Sequence, residues 1–197
     1  MLVVWALSVA PVVAQDGLYA PSVPEDAALV RVVNLREEEE SPRLDVGRER
    51  FAPLPAGEVG PYRPVPPGVY ILGGVGGVEF SPEPGRFYSL AVSEGSAPAV
   101  VRDEAHTDPA RAQLVMYNFG DAPADLFALP GDAIIFEKVP TGESEAMAVN
   151  AIEVALSVRV GGEELVRREL QLERGESYGI FVGLQQIEIA PATVSSE

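Results

Sequence analysis

The sequence predicts an all-β protein that consists of two tandem antiparallel β-sandwich domains. The clearest predicted strand is Ile152–Val160, in which apolar side chains occupy every second position and polar ones, such as Ser157 and Arg159, lie between them. This alternation has the two-residue period of a half-buried strand, and no long stretch shows the helical period of about 3.6 residues. Short apolar runs separated by glycine and proline pairs are typical of sandwiches and barrels.

A faint internal duplication supports the two-domain prediction. The related strand segments are ALVRVVNL and GRFYSLAV in the first copy, and QLVMYNF and GESYGIFV in the second (Ala28–Leu35, Gly85–Val92, Gln113–Phe119 and Gly175–Val182). Asn34 and Asn118 are 84 residues apart, whereas Tyr88 and Tyr178 are 90 residues apart. An offset that grows in one direction is expected of one module written twice, with about six residues added to a hairpin.

The chain therefore divides into an N-terminal β-sandwich at residues 16–103 and a C-terminal β-sandwich at residues 110–197. The predicted linker is Arg102–Pro109, which is polar and ends in proline. With 197 residues in total, each domain has about 90 residues, which is enough to close a modest core.

Residues 1–14 are predicted to be a signal peptide. The segment MLVVWALSVAPVVAQ is apolar and uncharged up to Gln15, and Val12 and Ala14 supply the small residues expected before a cleavage point. It is too short to span a bilayer comfortably, so we expect export with no membrane insertion after signal cleavage. The basic start of a signal peptide is missing, and an apolar first strand of the fold is the alternative interpretation.

Composition restricts the chemistry that the chain can perform. There is no cysteine, which excludes disulfides, thiolate catalysis and cysteine-based metal sites. The formal net charge of −16 repels nucleic acid, anionic lipid and acidic polysaccharide, and it favours a basic protein partner. The four consecutive glutamates at Glu37–Glu40 are typical of a solvated loop.

The motifs that suggest catalysis do not have the context that catalysis needs. Gly175–Gly179 spells G-x-S-x-G around Ser177, but a strand pattern follows it, no histidine lies downstream, and the first copy lacks the serine. Asp103–His106 spells a helicase box without the phosphate-binding loop that such a box accompanies. His106 is the only histidine, and one imidazole on a polar linker does not define a metal site. We therefore expect no catalytic residues, no metal, no cofactor and no enzymatic activity.

Two segments carry a resemblance to a known family. They are Leu18-Tyr19-Ala20-Pro21 and, further along the chain, YRPVPPGVY at Tyr62–Tyr70. Their order and spacing resemble the alginate biosynthesis protein AlgF family, a periplasmic accessory of alginate O-acetylation. The likeness covers residues 17–103 well and is looser from residue 110 onward.

The resemblance implies a periplasmic, non-enzymatic adaptor that supports O-acetylation of an exopolysaccharide such as alginate. Its implied partners are periplasmic O-acetyltransferases or a membrane-bound O-acyltransferase. The candidate partner-binding residues are Leu18, Tyr19, Pro21, Tyr62 and Arg63, for which a purely structural role is the alternative. The alternative function is a generic exported β-sandwich module that binds a protein or a carbohydrate.

Overall fold

A computed structural model of the chain describes residues 26–36, 40–73, 77–95, 97–183 and 187–191. Within these ranges the chain forms sixteen strands and no helix, which confirms the all-β prediction. None of the described segments is therefore a helix long and apolar enough to span a bilayer. The predicted signal peptide lies outside the described residues.

The N-terminal half is built around one four-stranded sheet with the order β4-β1-β7-β8, and the pairs β2-β3 and β5-β6 form two small hairpins. Its strands are β1 (Ala28–Asn34), β2 (Leu44–Val46), β3 (Glu49–Phe51), β4 (Arg63–Val65), β5 (Tyr70–Leu72), β6 (Val78–Phe80), β7 (Phe87–Val92) and β8 (Ala99–Asp103). Val30, Val32 and Leu90 on one face of the sheet pack against hairpin side chains such as Phe51 and Phe80. This apolar layer is the core of the N-terminal half.

The C-terminal half contains two four-stranded sheets, with the orders β12-β9-β15-β16 and β11-β10-β13-β14. Its strands are β9 (Ala112–Asn118), β10 (Ala124–Leu129), β11 (Ala133–Val139), β12 (Ser144–Val149), β13 (Glu153–Val160), β14 (Glu163–Gln171), β15 (Ser177–Val182) and β16 (Ile187–Pro191). Leu114, Met116 and Ile180 of the first sheet pack against Leu156 and Val158 of the second. The alternating apolar positions predicted for β13 thus face the core.

The strand pairings confirm the duplication. In β1 and β7, Val30 lies opposite Tyr88, and in β9 and β15, Leu114 lies opposite Tyr178 at the equivalent positions. Strands β4 and β12 flank β1 and β9 with the same antiparallel register. The conserved turn before the second strand of each pair is closed in the same way, since the glycine amides of Gly85 and Gly175 donate to the carbonyls two residues before β1 and β9 begin or immediately before them.

The two central pairs, β1–β7 and β9–β15, are parallel, whereas all other described strand ladders are antiparallel. Parallel strands usually occur where both faces of a sheet are covered. All seven residues of β9 are indeed buried. One face of each central pair lies on the core of its own half, and the opposite face lies against the other half.

The G-x-S-x-G motif is a turn that enters a strand, as the sequence predicts. Gly175 has a positive φ of 79°, which favours glycine, and Ser177 is the first residue of β15. All described ladders lie within residues 28–103 or within residues 112–191. The division into domains at 16–103 and 110–197 stays a prediction.

Candidate functional site

The two halves meet through an apolar layer between their central sheets. Val33 and Ala91 of the N-terminal half pack with Val115, Tyr117 and Phe181 of the C-terminal half. In the duplication, Tyr117 occupies the position of Val33 and Phe181 occupies that of Ala91, so both halves use equivalent faces. The rings of Tyr117 and Phe181 are stacked, with centroids 4.6 Å apart and planes 4° from parallel.

Arg31, in the middle of β1, projects into this layer and is only 1% exposed. Its Nε donates a hydrogen bond of 2.8 Å to the Ser89 hydroxyl, and its Nη2 donates one of 3.1 Å to the Tyr117 hydroxyl. Its guanidinium carbon lies 4.5 Å from the centroid of Tyr62 and 4.9 Å from that of Phe181. A desolvated cation over an aromatic face gains about 2 kcal/mol, so the rings replace part of the hydration that burial removes.

Gly179 makes room for the arginine. A Cβ atom at this position would lie 2.6 Å from the Phe181 ring and 3.4 Å from Nη2 of Arg31. The equivalent residue in the first copy is Ser89, whose hydroxyl accepts from Arg31. The two copies have therefore diverged in complementary ways, since one provides the cation and its acceptor and the other provides space and aromatic rings.

Asp103, at the end of β8, completes this group of side chains. Its Oδ2 accepts hydrogen bonds from the hydroxyls of Tyr62 at 2.5 Å and Ser89 at 3.0 Å. Burial raises the pKa of the Asp103 carboxyl, because desolvation outweighs the attraction of Arg31 and the hydrogen bonds. Burial also raises the pKa values of Tyr62 and Tyr117, with the charge of Asp103 as the second cause, so both phenols stay protonated. We call these residues the Arg31 cluster: Arg31, Tyr62, Ser89, Asp103, Tyr117 and Phe181.

The raised pKa of Asp103 predicts a pH dependence of stability. The folded state binds this proton more tightly than the unfolded chain, whose aspartates titrate near about 3.9, so the contribution is full below that pH and is lost as pH rises through the folded pKa. From about pH 4 upward, we expect the wild type to lose stability relative to Asp103→Asn in urea unfolding. The exposed Asp45→Asn serves as the control. A constant difference between wild type and Asp103→Asn, or one of opposite slope, would contradict this prediction.

An open cleft of about 230 Å³ lies beside the Arg31 cluster, where the two halves and the linker meet. We call it the junction cleft, and its lining residues are Tyr62, Phe87, Glu104, Ala105, His106, Gln113, Gly175, Glu176 and Ser177. Tyr62 belongs to both features, because its hydroxyl reaches Asp103 while its ring meets Phe87 edge-to-face at 5.2 Å.

The cleft brings together Ser177 and His106, the two residues of the apparent catalytic motifs. The Ser177 hydroxyl donates to Oε1 of Gln113 at 2.9 Å. Nε2 of His106 lies 2.9 Å from the carbonyl oxygen of Arg111, and because a carbonyl only accepts, this nitrogen carries the proton. Ser177 and His106 make no hydrogen bond to each other within the described part of the chain. In the described ranges, no group of three or more histidine or carboxylate side chains could hold a metal ion.

The predicted partner-binding residues lie in different places. Tyr62 is 4% exposed and lies inside the Arg31 cluster, so its side chain offers little surface to a partner. Arg63 is half-buried, donates from Nη1 to the Arg50 carbonyl at 3.0 Å, and lines a separate, largely apolar cleft of about 180 Å³. The other three candidates, Leu18, Tyr19 and Pro21, lie outside the described residues. Partner binding by these five residues stays a prediction.

Sequence reasoning does not identify Arg31, Ser89, Tyr117 or Phe181 as members of a site. One signal was available: Arg31 is a charged residue within an apolar strand, and its equivalent in the second copy is Val115. A difference of this kind at a repeated position indicates a role that only one copy performs.

Comparisons with known proteins give a family. The family model described as "Alginate O-acetyl transferase AlgF" matches residues 4–179 of the chain. Among solved structures, the C-terminal domain of AlgF from P. aeruginosa is 19% identical, with a TM-score of 0.36, and the match covers 42% of this chain and 93% of that chain. A search of curated proteins returned no significant match.

Proposed function

Since this chain belongs to the AlgF family, whose description is alginate O-acetyl transferase, we propose that it is a non-enzymatic periplasmic adaptor. In this proposal it supports O-acetylation of an exopolysaccharide such as alginate by contacting acetyl-transfer proteins. Its partners are periplasmic O-acetyltransferases or a membrane-bound O-acyltransferase. Residues 1–14 direct export, and Leu18, Tyr19, Pro21, Tyr62 and Arg63 remain candidates for partner contact.

The observation that carries the adaptor role is the hydrogen bonding of Ser177. A serine nucleophile needs a base that removes its proton during attack. Here the Ser177 hydroxyl donates to the Gln113 amide oxygen, which is not basic, while the nearby histidine carries its proton toward a backbone carbonyl. This arrangement supports binding or scaffolding in the junction cleft over acyl transfer.

Charge supports a protein partner over the polymer. The chain carries −16, and alginate is a polymer of uronic acids, so the two repel each other at low ionic strength. A partner with a basic face is attracted instead, and such steering increases the association rate most at low salt.

The adaptor role is tested by removing the chain from an acetylating strain. We expect the polymer to lose its acetyl groups while polymer secretion continues, and expression of the wild-type chain to restore acetylation. Affinity-tagged chain should co-purify with an acetyl-transfer protein, and binding should weaken as salt rises. Unchanged acetylation without the chain would contradict the proposal, as would tight binding to the anionic polymer with no acetylation protein bound. The second result, or binding to another protein alone, would favour the generic binding module.

A further inference from the structure

Gln113 presents an unused hydrogen-bond donor in the junction cleft. Its side chain is 6% exposed, and its Oε1 accepts from Ser177. Among the described residues its Nε2 donates no hydrogen bond, although an amide nitrogen has two hydrogens to donate. A buried amide usually finds a partner, because an unsatisfied donor costs about 1–3 kcal/mol. The free donor indicates that an acceptor from outside the chain completes the cleft.

The rim of the same cleft carries two free anions. Glu104 and Glu176 are exposed, and neither has an ion-pair partner within the described ranges. Between them and the buried amide, Phe87 contributes a half-buried aromatic ring to the wall. Carboxylates together with an aromatic ring are a combination that recognises a cationic side chain.

We propose that the junction cleft receives a lysine or arginine side chain from a loop of the acetyl-transfer protein. The cation lies against Glu104 and Glu176, the aliphatic stem lies along Phe87, and a backbone carbonyl of the loop accepts from Nε2 of Gln113. The cleft volume of about 230 Å³ is sufficient for such a side chain, since a cavity of about 150 Å³ holds benzene. This proposal rests on the adaptor function and specifies the chemistry of its partner.

The geometry also explains why both halves and the linker are needed. Phe87 comes from the N-terminal half, Glu104 and His106 from the linker, and Gln113 and Glu176 from the C-terminal half. The Arg31 cluster lies beside the cleft and ties the halves together through Tyr62. The position of the recognition site therefore depends on the same contacts that fix the interface.

The test is an NMR titration of the full chain with blocked tripeptides, acetyl-Gly-Arg-Gly-amide and acetyl-Gly-Lys-Gly-amide, in low salt. We expect saturable shifts at the Gln113 side-chain amide and at the backbone of Glu104, His106 and Ser177. Peptides with leucine or glutamate in the central position should produce no saturable shift. Absence of saturation with the basic peptides, or equal binding of the leucine peptide, would overturn the proposal. Saturable binding of a neutral trisaccharide in place of the peptides would also overturn it and assign the cleft to a carbohydrate.

A charge-matched pair of double variants isolates the cleft. Glu104→Gln with Glu176→Gln should weaken the arginine peptide about tenfold, as expected from the loss of two partly exposed ion pairs. Glu79→Gln with Glu163→Gln changes the net charge equally at exposed positions outside the cleft and should weaken it less than about twofold. Equal losses in the two double variants would contradict the cleft as the site.

The same variants separate the two proposals in cells. If removal of the chain abolishes acetylation but the Glu104→Gln, Glu176→Gln variant restores it and still co-purifies with the acetyl-transfer protein, the adaptor function stands and the cleft proposal is wrong. If removal of the chain leaves acetylation unchanged, the adaptor function is wrong, and the peptide titration alone decides what the cleft binds.

Discussion

Replacement of Arg31 by methionine is expected to lower the free energy of unfolding by about 3–5 kcal/mol. The substitution keeps an apolar stem of similar length, but it removes the donors to Ser89 and Tyr117 and the charge that faces Asp103. Removing one member of a buried charged group leaves its partners desolvated and unpaired. Urea unfolding followed by circular dichroism measures the loss.

A control and a double variant test whether this loss comes from the buried group. Arg86→Met removes an exposed arginine that forms only a long ion pair of 3.8 Å with Glu83, and it should change stability by less than about 0.5 kcal/mol. Adding Asp103→Asn to Arg31→Met should cost less than the sum of the two single changes. A loss below about 1 kcal/mol for Arg31→Met, or strict additivity with Asp103→Asn, would contradict the assignment of Arg31 as an interface anchor.

Tyr88→Ala is expected to cost about 3–5 kcal/mol, the range for truncation of a buried aromatic ring. The Tyr88 ring is 7% exposed and meets Phe80 edge-to-face at 5.2 Å within the N-terminal core. Its hydroxyl accepts from the backbone amide of Glu83 at 3.1 Å, so Tyr88→Phe should cost only about 1 kcal/mol. Thermal unfolding of both variants checks the order.

The repeated tyrosine of the second copy gives a matched comparison. Tyr178 accepts from the Glu173 amide at 3.0 Å, as Tyr88 does from Glu83, but its ring is only partly buried. Tyr178→Ala should therefore cost less than Tyr88→Ala. A larger loss at Tyr178 would contradict the burial that distinguishes the two copies.

The fold was predictable from the sequence where one face of a strand is polar. In β13 the alternation of apolar positions with Ser157 and Arg159 gives the strand and the side that faces the core. The duplication was predictable because strand ends such as Asn34 and Asn118 perform the same task, donating side-chain hydrogen bonds to loop carbonyls. The parallel pairing of β1 with β7 was not predictable, since a strand buried on both faces has no alternation to indicate its neighbours.

The candidate site was less predictable because it depends on contacts between distant elements. Arg31 and Tyr117 are 86 residues apart, and neither segment carries a motif. Burial of an arginine is unfavourable in isolation, so only the assembled group of acceptor hydroxyls, carboxylate and rings explains it. The junction cleft also places His106 and Ser177 together, which their positions in the sequence do not indicate.

Acetyl transfer by the purified chain alone tests the central claim most directly. The full-length chain is incubated with 4-nitrophenyl acetate, and release of nitrophenol and the intact mass of the protein are followed together. The adaptor account predicts a rate equal to that of Ser177→Ala and no acetylated protein, while acetylation of the polymer in cells still requires the chain. Formation of a stoichiometric acetyl adduct on Ser177, with a rate that Ser177→Ala abolishes in a folded protein, would contradict it.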